Sequence, residues 1–323
     1  MNEISINDIA KELMKHETIA IFPHVNIDGD ALGSSVALCS ALTKKGKDCR
    51  IVYDKEIPDN LDFLAGDMLT DGSDLPSEFD LSLMLDCAGS KRIKGREDIF
   101  KRGKVKGCID HHETADTDTQ YDFYYCEPLS AATGELVYML IKALDVKPDL
   151  EIANAIFTAI TTDSGNFQHS NTTARTHKIA MELYDVEGFN SKPVSALIYD
   201  RKPKNIVKLE SLVISKLEYL KDGKIAIGTI TAKDLDETGA KLSNVDGLVS
   251  DILSIEDVVL SALVKEAEDC VKVSLRSLGQ VNVAELAQKI GGGGHYNAAG
   301  ITSHLSVDEL KEQLIPLLIE AVE

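Results

Sequence analysis

The chain has 323 residues, 44% of them hydrophobic, and a formal net charge of −19 at pH 7. That length and apolar content suit two domains with cores of their own, while no apolar run is long enough to span a membrane and the N-terminus lacks a basic-then-apolar leader. Asp and Glu outnumber Lys and Arg 53 to 34 with no basic stripe, which argues against tracking a long duplex but not against a small anionic substrate held by local cations.

The first predicted element is an amphipathic helix over residues 6–14, with Ile6, Ile9, Ala10, Leu13 and Met14 on one face. A buried strand, Ile19–Phe22, then feeds the turn His24-Val25-Asn26-Ile27-Asp28-Gly29-Asp30, and a helix of small and apolar residues follows over 31–45. One imidazole and two carboxylates therefore sit at the carboxyl end of a strand, where open α/β sheets place ligands. Gly29 is expected to let the backbone fold so that both carboxylates face inward. The donor types suit hard or borderline divalent ions. A simple helix cap with solvated Asp residues is the plainer alternative for this turn alone.

A second strand is expected at Cys49–Tyr53, then a polar stretch over 54–80 with a short helix. Leu81–Leu85 is the next strand and ends on Asp86; Val105–Ile109 is another and ends on Asp110-His111-His112. Helices follow at about 130–144, 149–162 and 173–185, with Asp163 closing the second of these. Strands alternating with helices indicate a mostly parallel sheet flanked by helices. Three strands ending in Asp or His have no structural rationale, whereas a metal site at the carboxyl edge of a sheet requires that placement. The six cysteines (Cys39, Cys49, Cys87, Cys108, Cys126 and Cys270) show no C-x-x-C pair, and several sit beside apolar patterns as buried free thiols do, which suits a reducing cytoplasm.

Residues 186–214 read as connecting helices punctuated by Pro193 and Pro203. A smaller α/β domain follows, with strands at Lys224–Thr231, Val258–Val264 and Val271–Ser277 and helices at Ser243–Leu253, Val283–Ile290 and 306–321. The last helix opens on a capping box, Ser306 with Glu309. Between Ile290 and it lies Gly291-Gly292-Gly293-Gly294-His295, whose bare backbone could close over a phosphate with its amides; a flexible linker is the alternative. Arg276 is the cation best placed to assist it.

With Asp86, the Asp110-His111-His112 run and Asp163 beside His24, Asp28 and Asp30, the chain supplies at least two His and four Asp, enough for two metals about 3.5–4 Å apart with one shared carboxylate. In extended chain His111 and His112 point in opposite directions, so one can bind metal while the other faces substrate.

In their order and spacing, His24-x-x-x-Asp28-Gly29-Asp30, Asp86, Asp110-His111-His112 and Asp163 resemble the four motifs of the DHH phosphoesterase superfamily. Gly292-Gly293-Gly294-His295 with Ala298-Ala299-Gly300 is similar to the signature of its associated C-terminal domain. Overall length is most similar to the branch of bifunctional oligoribonucleases (nanoRNases) and pAp phosphatases.

The resemblance implies a DHH domain over 1–187, a helical linker or hinge over 188–214, and a substrate-binding domain over 215–323, with the active site in the cleft between them. It implies two divalent ions, Mn2+ foremost, one on His24, Asp28 and Asp86 and the other on Asp30, Asp86, His111 and Asp163. His112 would face the scissile phosphate as donor or general acid, with Asp110 orienting the His pair. Asn166, Phe167, Arg276, Gly292, Gly293, Gly294 and His295 would contact substrate. Gln168 departs from the pattern, since relatives often carry Arg there.

The function implied is removal of mononucleotides from oligonucleotides of about 2–5 residues and dephosphorylation of pAp, in the cytoplasm, without long duplex nucleic acid or membrane; a homodimer is compatible with it. Hydrolysis of cyclic or linear dinucleotides is the near alternative. A manganese pyrophosphatase should lack the Gly-Gly-Gly-His run, and a non-catalytic nucleotide-binding regulator should lack some of the ligands.

Overall fold

The computed structural model describes residues 5–112, 119–242, 245 and 247–322, with His295 located by its backbone. The chain divides into two compact units, Met1–Arg201 and Lys202–Glu323. In the first, α1 (Ile6–Met14), β1 (Thr18–Phe22), α2 (Gly29–Lys44), β2 (Asp48–Val52), β3 (Leu69–Thr70) and β4 (Phe79–Leu85) are followed by α3 (Glu97–Phe100), β5 (Gly103–Asp110) and β6 (Phe123–Cys126). Helices α4 (Thr133–Ala143), α5 (Leu150–Asp163), α6 (Ala174–Leu183) and α7 (Ser191–Ser195) complete it.

All six strands are parallel, in the order β3-β2-β1-β4-β5-β6. Parallel sheets are covered on both faces, and β1 shows how the sequence provides for this. Ile19 and Ile21 enter the large core built with α1, α2, α4 and α5, while Ala20 and Phe22 enter a second core with Ile93 and Phe100 on the opposite face. The order reverses between β1 and β4, the chain running to β2 and β3 on one side and to β5 and β6 on the other. A crevice at the carboxyl ends of the strands opens at such a switch point.

Helix α2 lies against α5 so closely that glycine is required. A Cβ on Gly33 would sit 2.4 Å from the Ala155 carbonyl oxygen, and one on Gly29 would sit 2.4–2.8 Å from the Thr162 side chain. Gly29 is not in a left-handed conformation. Its role is close approach of two helices, which corrects the expectation of backbone freedom.

The second unit runs α8 (Lys204–Ile214), β7 (Glu218–Leu220), β8 (Ile225–Ile230), α9 (Ala232–Thr238), α10 (Leu248–Leu253), β9 (Leu260–Glu266), β10 (Val271–Ser277), α11 (Val283–Gln288), β11 (Gly293–His295), β12 (Ala298–Ser303) and α12 (Val307–Ala321). Its sheet has the order β11-β12-β10-β9-β8-β7, with only β8 and β9 parallel. Ile225 and Ile227 face the core under α11 and α12, whereas Ala226 and Ile230 face the one under α8 and α10. The segment expected as a linker is therefore divided: α8 joins the second unit through Ile206, Leu209 and Val213. Of the helix expected over 243–253, Ser243, Asn244 and Asp246 lie outside the described residues. No helix among the described residues is long and apolar enough to cross a membrane.

Candidate metal centre at the carboxyl edge of the parallel sheet

The turn after β1 delivers His24 and starts α2, with Asp28 as its N-cap. Asp28 Oδ1 accepts from the Ala31 amide at 3.0 Å, while its Oδ2 lies 3.3 Å from His24 Nε2. The capping and ligand-cluster alternatives for this turn thus hold together, one carboxylate oxygen serving each. Within the first turn of the helix, Asp30 is buried to 1% exposure and receives the amides of Thr133 at 2.7 Å and Gly134 at 2.9 Å. The N-terminus of α4 is aimed at this carboxylate, as the helix dipole favours.

Asp86 follows the last residue of β4 in a left-handed conformation, φ 61°. Asp tolerates that region better than most residues, and such strain concentrates where a side chain must be aimed. Its Oδ2 lies 3.6 Å from His24 Nε2 and its Oδ1 lies 3.7 Å from His111 Nε2, so the two oxygens look toward two different imidazoles. Thr133 Oγ1 donates to Oδ1 at 2.8 Å. At the end of β5, Asp110 Oδ1 accepts the amides of His111 and His112 and lies 2.7 Å from His112 Nδ1. His111 turns the other way: its Nε2 lies 3.1 Å from Asp163 Oδ2 and 3.7 Å from Asp30 Oδ2.

These side chains form three overlapping groups, His24–Asp28–Asp86, Asp30–His111–Asp163 and Asp86–His111–His112, with donor atoms in each within 4.8 Å of one another. Crowded carboxylates resist ionisation. Burial and the neighbouring Asp163 push Asp30 up to about 7, and burial with Asp30 beside it drives Asp86 well above the carboxylate range. Burial alone would lower His111, but the carboxylates of Asp163, Asp30 and Asp86 outweigh it and raise the imidazole to about 10. Oxygen and imidazole donors crowded in this way fit divalent cations, whose charge would relieve the carboxylates.

Comparison with known proteins places the chain in a family. The profile described as DHH family, N-terminal domain, matches residues 18–162, and that of the DHHA1 domain matches residues 222–323. A bifunctional oligoribonuclease and PAP phosphatase of Thermus thermophilus is 35% identical over 310 residues, covering 94% of this chain and 89% of that protein. This chain belongs to the DHH phosphoesterase family. The same enzyme name attaches to a Bacillus subtilis relative, 27% identical over 96% of both chains. Among solved structures, an exopolyphosphatase-related protein from Bacteroides fragilis superposes with a TM-score of 0.89 at 27% identity, covering 98% of this chain and 95% of that one.

The residues expected as metal ligands gather in this cluster; those expected to contact substrate are placed as follows. Asn166 is exposed at φ 56°. Phe167 is half-buried against the core, stacked on His177 with ring centroids 5.4 Å apart and packed against Phe157. Arg276 is half-buried on β10, opposite Ala298, and its Nη1 donates to the Leu275 carbonyl.

The glycine run is built into the sheet and is not a free linker. Gly293, Gly294 and His295 form an edge strand against β12, and the Gly292 amide is committed to the Ala287 carbonyl. A Cβ on Gly292 would meet the Gly300 oxygen at 2.4 Å, and one on Gly294, at φ 153°, the Ala298 oxygen at the same distance. These glycines are required by close backbone approach.

Sequence reasoning passed over Thr133, Gly134 and Ser130, which hold Asp30, Asp86 and His111 through a hydroxyl, two amides and a carbonyl. The signal available was the small-residue run Ser130-Ala131-Ala132-Thr133-Gly134 opening a helix without a capping side chain.

Proposed function

We propose that this protein is a two-metal phosphohydrolase that removes mononucleotides from very short oligonucleotides and dephosphorylates pAp. The observation that carries the reading is Asp86, whose two oxygens are turned toward His24 and His111 at the junction of two donor groups. Full-length similarity to enzymes named for these two activities supports the substrate class.

His24, Asp28 and Asp86 would hold one ion, and Asp30, Asp86, His111 and Asp163 the other, with Mn2+ the expected metal. When bound, the pair supplies positive charge against the phosphoryl oxygens and acidifies the attacking water. The chain's own groups do the rest. Asp110 holds His112 by Nδ1, so its Nε2 is the atom available to the scissile phosphate, as donor or general acid. Thr133 and Gly134 keep Asp30 and Asp86 in place without adding charge. Arg276 and Gly292–His295 of the second unit would contact the substrate's other phosphate or terminal nucleotide. The six free cysteines, four of them buried, support a reducing cytoplasm as the setting.

A single panel tests the assignment: dinucleotides, pAp, cyclic dinucleotides and pyrophosphate, each with Mn2+, with Mg2+ and with chelator. Metal-dependent release of mononucleotides from dinucleotides and of phosphate from pAp is expected. Faster turnover of cyclic dinucleotides would reassign the substrate, and absence of metal-dependent turnover on all four would reject the enzyme.

A further inference from the structure

Outside the donor cluster, one arginine gathers the scaffold around it. Arg175, in the first turn of α6, uses all three guanidinium nitrogens: Nε to Glu135 Oε2 at 2.7 Å, Nη1 to Glu127 Oε1 at 2.6 Å, and Nη2 to Ser130 Oγ at 2.7 Å. Glu135 is fully buried and also accepts from Thr176 Oγ1 at 2.5 Å. Glu135 lies in the first turn of α4, directly after Thr133 and Gly134, which bind Asp30. Ser130, 2% exposed, places its carbonyl 3.1 Å from His111 Nδ1. The guanidinium therefore ties the loop over 127–130 to α4 and α6 at once, and that loop carries the acceptor for His111's second nitrogen.

We propose that Arg175 is a positioning residue for His111, acting through Ser130. His111 Nδ1–H donates to the Ser130 carbonyl, which fixes the ring with Nε2 aimed at Asp30, Asp86 and Asp163. Ring orientation in ligating histidines is set by such outer partners, and their loss typically weakens metal binding about 10- to 100-fold. Lys cannot substitute for the fork, because one ammonium cannot reach three acceptors held in a fixed planar pattern. The plainer role, neutralising buried Glu135, would be met by Lys, so the two roles separate on that variant. The proposal rests on reading the cluster as a metal centre, and the test lets the two fail apart.

Mn2+ titration monitored by electron paramagnetic resonance, thermal unfolding, and kcat and KM on a dinucleotide are measured for the parent, Arg175→Lys and Ser130→Ala. Ser130→Ala removes only the hydroxyl, leaving both glutamate pairs intact. The parent should bind two Mn2+. Both variants should lose affinity for one ion about tenfold or more while the other binds as in the parent. They should unfold close to the parent temperature, with kcat reduced and KM little changed. Two Mn2+ bound with parental affinity in both variants would overturn the proposal, and so would equal weakening of both ions in step with a lowered unfolding temperature. A parent that binds no Mn2+ would instead overturn the metal-centre reading.

Discussion

Asp86 combines three demands at one position: left-handed backbone, near-complete burial, and a carboxylate shared between two imidazoles. Asn keeps the first two, since it tolerates left-handed φ and its carbonyl can still accept from Thr133, but it removes the charge. We expect Asp86→Asn to lower metal-dependent turnover by more than about 100-fold, beyond what losing an outer partner costs. In chelator the same variant should unfold at a higher temperature than the parent, because one of several crowded carboxylates is gone. Its stabilisation by added Mn2+ should largely vanish. A variant that is less stable than the parent in chelator would show that like-charge crowding is not what burdens the metal-free site. At this scale the sequence was most readable where residues carry chemistry at strand ends, as with His24, Asp86 and His111. It was silent on Thr133 and Gly134, because a backbone amide looks the same in every sequence.

Among the elements, the α2–α5 contact governs where the Asp28–Asp30 turn sits. Gly33→Ala places a methyl 2.4 Å from a backbone oxygen, which cannot move aside like a side-chain tip. Overpacking of this kind typically costs about 1–3 kcal/mol, read as a lower urea midpoint at unchanged slope. A loss below about 0.5 kcal/mol would mean that the helices slide apart freely.

The start of β1 is tied to β4 by Asp80, whose Oδ2 accepts the Glu17 and Thr18 amides at 3.0 and 3.2 Å. Those amides hold the carboxyl below its ordinary range, with help from the Thr18 hydroxyl and Lys104. A depressed carboxyl contributes stability that is complete above the unfolded pKa of about 3.9 and is lost as pH falls through the folded value. Urea midpoints should therefore show Asp80→Ala less stable than the parent by a constant margin from neutral pH to about 5, with the gap closing below about 4. A margin that persists unchanged to the lowest pH at which the chain folds would rule out the charge as its source. Elements with their own pattern were legible: α1 and β10 match to the residue, and the capping box at Ser306 and Glu309 is formed. Two-residue β3, aromatic β6 and glycine-built β11 were not, because partner strands, not local propensity, make them strands.

For the whole molecule, the net charge of −19 bears on substrate length. Counterion release from a long strand needs cationic surface, and positive charge supplied only by bound metals reaches little beyond a Debye length of about 8 Å at physiological ionic strength. We expect the rate to fall steeply once the oligonucleotide exceeds about five residues, with a shallow salt dependence for dinucleotides. Degradation of long single strands as fast as dinucleotides would reject this. His295→Ala should raise KM and lower kcat/KM for dinucleotides while Mn2+ stoichiometry is unchanged; normal handling of dinucleotides by that variant would remove the second unit from substrate binding. Two units were legible from the switch to a new strand pattern after residue 214, but their division falls between Arg201 and Lys202. The apolar face of α8 could not announce which core it would join.

The donors of the centre are spread from His24 to Asp163, and the guanidinium bracing them comes later still, at Arg175. A chain emerging from the ribosome consequently presents, of this centre, only the one imidazole and two carboxylates of the His24–Asp30 turn until most of the first unit has been synthesised. Choice of metal is thereby postponed to a moment when rigid geometry, and not raw donor affinity, makes the selection.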